Sequence, residues 1–162
     1  MEVHDGWVPA EIERKFRVRD EPDLTGAEPG TRLRQGYVAL DGPVEVRIRI
    51  TEAGSTLTVK GGSGLTRAEV EVGIGDDEAR ELWALSEGRR IEKVRHRIVL
   101  DDGLVAELDR FEGDLAGLSV VEVEFPNADD AAAFQPPEWF GEELTGHPGW
   151  SNAALAQGGR PA

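Results

Sequence analysis

The chain has 162 residues, with 18 Lys plus Arg against 32 Asp plus Glu, a net charge of −14. Its length suits one domain with a single core, here expected to span residues 1–162 with its centre at about 9–157. The acidity argues against a surface for nucleic acid or an anionic membrane, while leaving room for a small anion held by local bases or a bound cation.

No cysteine is present, which excludes disulfides, thiolate metal sites and cysteine nucleophiles. The first residues, Met1 to Trp7, contain neither a basic region nor an apolar run. No stretch approaches the roughly 20 apolar residues of a membrane span. A cytoplasmic protein is expected.

Alternation with period two dominates the chain and predicts strands over 10–19, 33–40, 43–51, 54–61, 67–75, 90–100, 103–110 and 119–126. A polar, Pro/Gly-rich loop fills 20–31. Asp101-Asp102-Gly103 predicts a tight hairpin, because Asp-Gly supplies the positive φ such turns need. Helices are predicted over 76–85, which opens on three acidic residues, over 127–134, which Pro136 and Pro137 end, and over 151–156, with Ser151 as N-cap. Eight strands in hairpin order with three short helices predict a mainly β fold: an eight-stranded antiparallel closed barrel with flanking helices.

Residues i and i+2 of a strand share a face. Read that way, one face collects Glu11, Glu13 and Lys15; Glu45, Arg47 and Arg49; Arg67, Glu69 and Glu71; Lys93, Arg95 and Arg97; Glu107 and Asp109; Glu122 and Glu124. On a single strand such a face is ordinarily solvated. Across six strands, acidic pairs segregate to some and basic pairs to others, and like charges on one face repel. The set becomes coherent if the charged faces line the inside of a barrel. Carboxylates would then hold hard divalent cations, and Arg and Lys would hold phosphate oxygens.

Glu11-Ile12-Glu13-Arg14-Lys15 resembles the ExExK signature of the CYTH superfamily, the triphosphate tunnel metalloenzymes. The resemblance continues in order through Gln35-Gly36-Tyr37, Val46 to Ile50, Leu57 to Gly61, Arg67 to Glu71, Glu92 to Arg95, Glu107 to Asp109 and Glu122 to Phe125. It implies a tunnel of eight antiparallel strands open to a polyphosphate. It implies Glu11, Glu13, Glu122 and Glu124 as ligands of Mg²⁺ or Mn²⁺. Lys15, Arg47, Arg49, Lys60 and Arg95 are implied as phosphate binders. Glu69, Glu71, Glu107 and Asp109 are implied as an acidic wall that orients bases, positions water or holds a second metal. Lys93 with Tyr37 resembles a pair that helps activate water. Gly149-Trp150 stands where the family often has a basic or aromatic pair.

The resemblance implies a triphosphatase cleaving inorganic tripolyphosphate to pyrophosphate and phosphate, acting as monomer or homodimer. Adenylyl cyclase, thiamine triphosphatase, nucleoside triphosphatase and a non-catalytic polyphosphate-binding module are the alternatives. His4, His96 and His147 are expected outside the site, and Trp7, Trp83, Trp139 and Trp150 are expected to pack rather than to stack on a base.

Overall fold

The computed structural model describes residues 12–61 and 68–161. Its strands are β1 (Ile12–Val18), β2 (Thr31–Asp41), β3 (Val44–Thr51), β4 (Gly54–Gly61), β5 (Ala68–Ile74), β6 (Arg90–Val99), β7 (Val105–Phe111), β8 (Ser119–Phe125) and β9 (Phe140–Glu143). Helices α1 (Asp76–Ala84), α2 (Ala128–Ala133) and α3 (Asn152–Gly158) flank them. The nine strands form one sheet in the order β5-β4-β3-β2-β6-β7-β8-β1-β9, with every pairing antiparallel.

The expectation of eight strands closed on themselves is met in its antiparallel, mainly β character but not in its closure. Among the described residues β5 and β9 end the sheet and do not pair with each other. A ninth strand, β9, lies beside β1. The expected strand residues Glu11 and Arg67 lie outside the described residues. No helix among the described residues is long and apolar enough to cross a membrane.

Local chemistry explains the punctuation. Gly103 turns the β6–β7 hairpin at φ 83, and Asp102 Oδ1 accepts from Leu104 N at 3.0 Å. Ser151 caps α3 as expected, accepting from Ala154 N at 3.1 Å, and Asn127 caps α2 through Asp130 N at 2.7 Å. Gly36 on β2 has no room for a side chain, since a Cβ there would strike Ser86 Oγ below α1. Trp83 of α1 lies between the guanidinium groups of Arg34 and Arg90, at 4.4 and 4.5 Å from its ring centroid. This pins α1 across β2, and Trp83 packs as expected.

Apolar residues bury on both sides of the sheet. On the outer side Phe16, Val121, Val123 and Phe125 pack under Phe134 and Phe140, which α2 and β9 bring over them. On the inner side Tyr37, Ile91, Phe111 and Val120 meet Leu144, Trp150 and Leu155 from the C-terminal segment. Each fully buried side chain of this size contributes roughly 1.5–3 kcal/mol of transfer free energy. The second cluster plugs one end of the concave face, and the charged residues occupy the space beyond it.

Candidate active site

The concave face encloses a cavity of about 340 Å³ to which all of β1 to β8 contribute. Glu13 and Lys15 enter from β1, Tyr37 from β2, and Glu45, Arg47 and Arg49 from β3. Lys60 comes from β4, Glu69 and Glu71 from β5, Arg95 from β6, Glu107 from β7, and Glu122 and Glu124 from β8. Both ends of the sheet therefore curl toward one space, although they do not hydrogen-bond to each other. The structure thus brings together most of the residues picked out by alternation. Glu11 lies outside the described residues.

The strand registers explain the grouping. Glu13 stands opposite Glu124 and Lys15 opposite Glu122 across β1 and β8, and Glu107 stands opposite Glu122 across β7 and β8. This side of the cavity is a carboxylate wall whose bases are Lys15, 3.3 Å from Glu122, and Arg95, 3.1 Å from Glu107. The other side carries Arg47 opposite Thr58, and Glu45 opposite Lys60. Lys60 reaches Glu69 of β5 at 3.9 Å.

Lys93 and Asp109, expected in catalytic roles at the cavity, are both buried and do not line it. They share its concave face but sit behind the wall. Lys93 Nζ meets Asp109 Oδ2 at 2.7 Å and Asn152 Oδ1 of α3 at 3.4 Å, above the Phe111 ring. Asp109 also accepts from Arg95 Nε and Nη2 at 2.8 and 2.9 Å. Asp109 thus holds the Arg95 guanidinium through two hydrogen bonds.

Burial pushes the Lys93 ammonium down to about 8, against the opposing pull of Asp109. For Asp109, burial alone would raise the carboxyl. Lys93 and Arg95 outweigh it and hold the group down to about 2. Arg95 is likewise disfavoured by burial, yet its bonds to Asp109 raise its pKa.

Tyr37 does line the cavity, but its charged neighbours are Arg47 and Glu45 rather than Lys93. Burial raises its pKa despite Arg47, so its hydroxyl keeps its proton at neutral pH, and Arg47 and Gln35 act on it as hydrogen-bond donors. Lys93 for its part is paired with Asp109. Alternation placed Lys93 on the concave face and the family resemblance singled out Tyr37, but neither could report how deep each one lies.

Four lining residues were not assigned roles from the sequence. Glu45 was on the charged face of its strand. Ser151, Asn152 and Ala153 come from the start of α3; they are uncharged and carry no pattern beyond a helix cap. Trp150 belongs to the same segment: its carbonyl accepts from Lys15 Nζ at 2.7 Å, and the Arg17 guanidinium lies 5.2 Å from its ring centroid. The C-terminal segment closes the cavity floor through neutral groups.

His96 and His147 do not line the cavity. His147 Nδ1 instead accepts from Gly149 N at 3.3 Å.

An antiparallel sheet whose concave face carries interleaved carboxylates, guanidinium and ammonium groups has the chemistry to hold a polyanion together with a cation. The chain belongs to the CYTH domain family, whose model matches residues 9–145. It is 45% identical over 147 residues to the inorganic triphosphatase of Nitrosomonas europaea, covering 90% of this chain and 96% of that one. It is 39% identical over 149 residues to the inorganic triphosphatase of Acetivibrio thermocellus, covering 91% and 93%. The crystal structure of an inorganic triphosphatase superposes with a TM-score of 0.74 at 41% identity, covering 97% of this chain and all of the other.

Proposed function

We propose that this chain is a metal-dependent inorganic triphosphatase that cleaves tripolyphosphate to pyrophosphate and orthophosphate. The observation that carries the reading is the single cavity to which eight strands bring seven carboxylates and five bases. Support comes from the inorganic triphosphatases to which the chain is similar along nearly its whole length. Tyr37 is the only aromatic residue among the described lining residues, so the described wall offers little platform for a base or a thiamine ring.

Triphosphatases of this family depend on metal ions in general, and the donor set fits Mg²⁺ or Mn²⁺. Among the described residues no three acidic or histidine side chains form a ready-made ligand cluster. Glu13 and Glu124 are register partners, however, and Mg²⁺ is commonly held by one or two carboxylates with substrate phosphates and water. Glu13 and Glu124, with Glu122 and, from the sequence resemblance, Glu11, would hold the cation. Bound there, it would offset charge on phosphate oxygens and favour attack by water.

The chain's own side chains supply the rest. Arg47, Arg49 and Lys60 on one side and Lys15 and Arg95 on the other bind phosphate oxygens and stabilise charge as it develops. Tyr37 donates a hydrogen bond. Glu69, Glu71 and Glu107 keep the bases oriented. Water bonds to the terminal phosphorus as the bridging P–O bond breaks, and no side-chain nucleophile is required.

The cavity's chemistry selects a small triphosphate, and the cytoplasm is the compartment in this reading. The test is a panel of tripolyphosphate, pyrophosphate, ATP and thiamine triphosphate with Mg²⁺ or Mn²⁺, scored for phosphate and for cyclic AMP. Tripolyphosphate is expected to turn over fastest. Production of cyclic AMP from ATP as the main activity would replace this reading with a cyclase, and binding without turnover would replace it with a binding module.

A further inference from the structure

Arg49 has a neighbour on β2 that no charge pattern would select. Gln35 stands opposite Arg49 in register and is completely buried. Its Oε1 accepts from Arg49 Nε at 3.0 Å. A guanidinium bound only through Nε keeps both terminal nitrogens available for bidentate contact with a phosphate.

The acceptor's neutrality matters as much as its position. Arg95 and Lys60, elsewhere in the cavity, are held by carboxylates, which offset their charge. Arg49 is held by an amide, which fixes direction while leaving the positive charge whole. Burial, then the like charges of Arg47 and Arg95, outweigh the attraction of Glu71 and Asp109 and lower the Arg49 pKa. A half-buried cation beside two others, only partly offset by Glu71 and Asp109, gains when an anion enters.

The same corner holds buried polar groups short of well-formed hydrogen bonds. Gln35 Nε2, Arg47 Nε and Thr58 Oγ1 are buried and meet no hydrogen-bond partner at good geometry among the described residues. Such groups are normally paired, and here they all lie around the Arg47–Arg49 stretch of β3.

We propose that Gln35 is a positioning residue for triphosphate hydrolysis: its carboxamide oxygen aims the Arg49 guanidinium at a phosphate without neutralising it. This rests on the reading of Arg49 as a phosphate binder. Gln35 acts through Arg49 and does not itself line the cavity.

The test is a double-mutant cycle on tripolyphosphate hydrolysis, using wild type, Gln35→Met, Arg49→Ala and the double variant, with KM and kcat separated and thermal melting recorded. Gln35→Met is expected to raise KM about tenfold, the loss of one hydrogen bond to a charged group. The double variant is expected to be no worse than Arg49→Ala alone. An equal Gln35→Met effect in both backgrounds, or none in the wild-type background, overturns the proposal. If Arg49→Ala leaves both constants unchanged, the phosphate reading itself fails and the proposal falls with it.

Should Gln35→Met not fold, Gln35→Glu decides the matter. It keeps an oxygen for Arg49 Nε but adds a neutralising charge. A raised KM at unchanged melting temperature supports the role of neutrality, and an unchanged KM overturns it.

Discussion

Lys93 Nζ and Asp109 Oδ2 face each other at 2.7 Å in a part of the concave face from which solvent is excluded. Asp109 is the shared element, because it also holds the Arg95 guanidinium that reaches the cavity. The pair therefore links the packing of α3, through Asn152, to the aim of a cavity base.

The two halves of this pair are unequal, which sets an order of stability. In Lys93→Met, Asp109 keeps Arg95 as a partner. In Asp109→Asn, Lys93 is left buried without its carboxylate, and breaking a buried pair that way costs roughly 3–5 kcal/mol. Urea unfolding should therefore rank wild type above Lys93→Met and Lys93→Met above Asp109→Asn. The reverse order would contradict the shared role of Asp109.

The pH dependence follows from the same carboxyl. Asp109 is held down to about 2 from an ordinary 3.8. The folded state therefore binds this proton less readily than the unfolded chain does. The stabilisation is complete above about pH 4 and is lost as pH falls toward 2, a contribution of about 2 kcal/mol. Between those values the stability of Asp109→Asn should fall less steeply than that of the wild type, as read by denaturant midpoints at each pH.

Glu13→Gln and Glu124→Gln remove a charged ligand from one side of the proposed cation site without altering side-chain size. Each should raise the Mg²⁺ or Mn²⁺ concentration needed for half-maximal phosphate release by about tenfold or more. Glu124→Gln should leave the melting temperature undiminished, because Glu124 faces the like charge of Glu13 in register. Unchanged cation dependence would remove them from the metal site.

Gly36→Ala tests the packing that fixes the Tyr37 end of β2. The added methyl would meet Ser86 and Trp83 below α1, and overpacking of this kind costs about 1–3 kcal/mol. Thermal melting should show the loss, while kcat on the folded protein stays close to wild type because Gly36 does not face the cavity.

Much of this architecture was legible before any coordinates. Alternation located all eight strands that line the cavity, and for six of them the side that faces it, because a strand's period of two carries through whenever opposite faces differ in polarity. Depth was not legible: Lys93 and Arg95 share a face, yet only Arg95 reaches the cavity, because Phe111, Leu115 and α3 cover one end. Four residues of β9, following Pro136 and Pro137, are too few to display a period. The α3 contribution was hidden for another reason, since Ser151, Asn152 and Ala153 are neutral. Gln35 was visible only as part of a motif, and its bond to Arg49 required the register of β2 against β3.

The most direct test of a metal-dependent triphosphatase is a ³¹P NMR time course of tripolyphosphate with the purified protein, with and without Mg²⁺ or Mn²⁺. Pyrophosphate and orthophosphate should appear in equal amounts as tripolyphosphate disappears, only when the cation is present, and not with the Glu13→Gln/Glu124→Gln variant. Persistence of tripolyphosphate with either cation, or equal turnover in the presence of a chelator, would contradict the account.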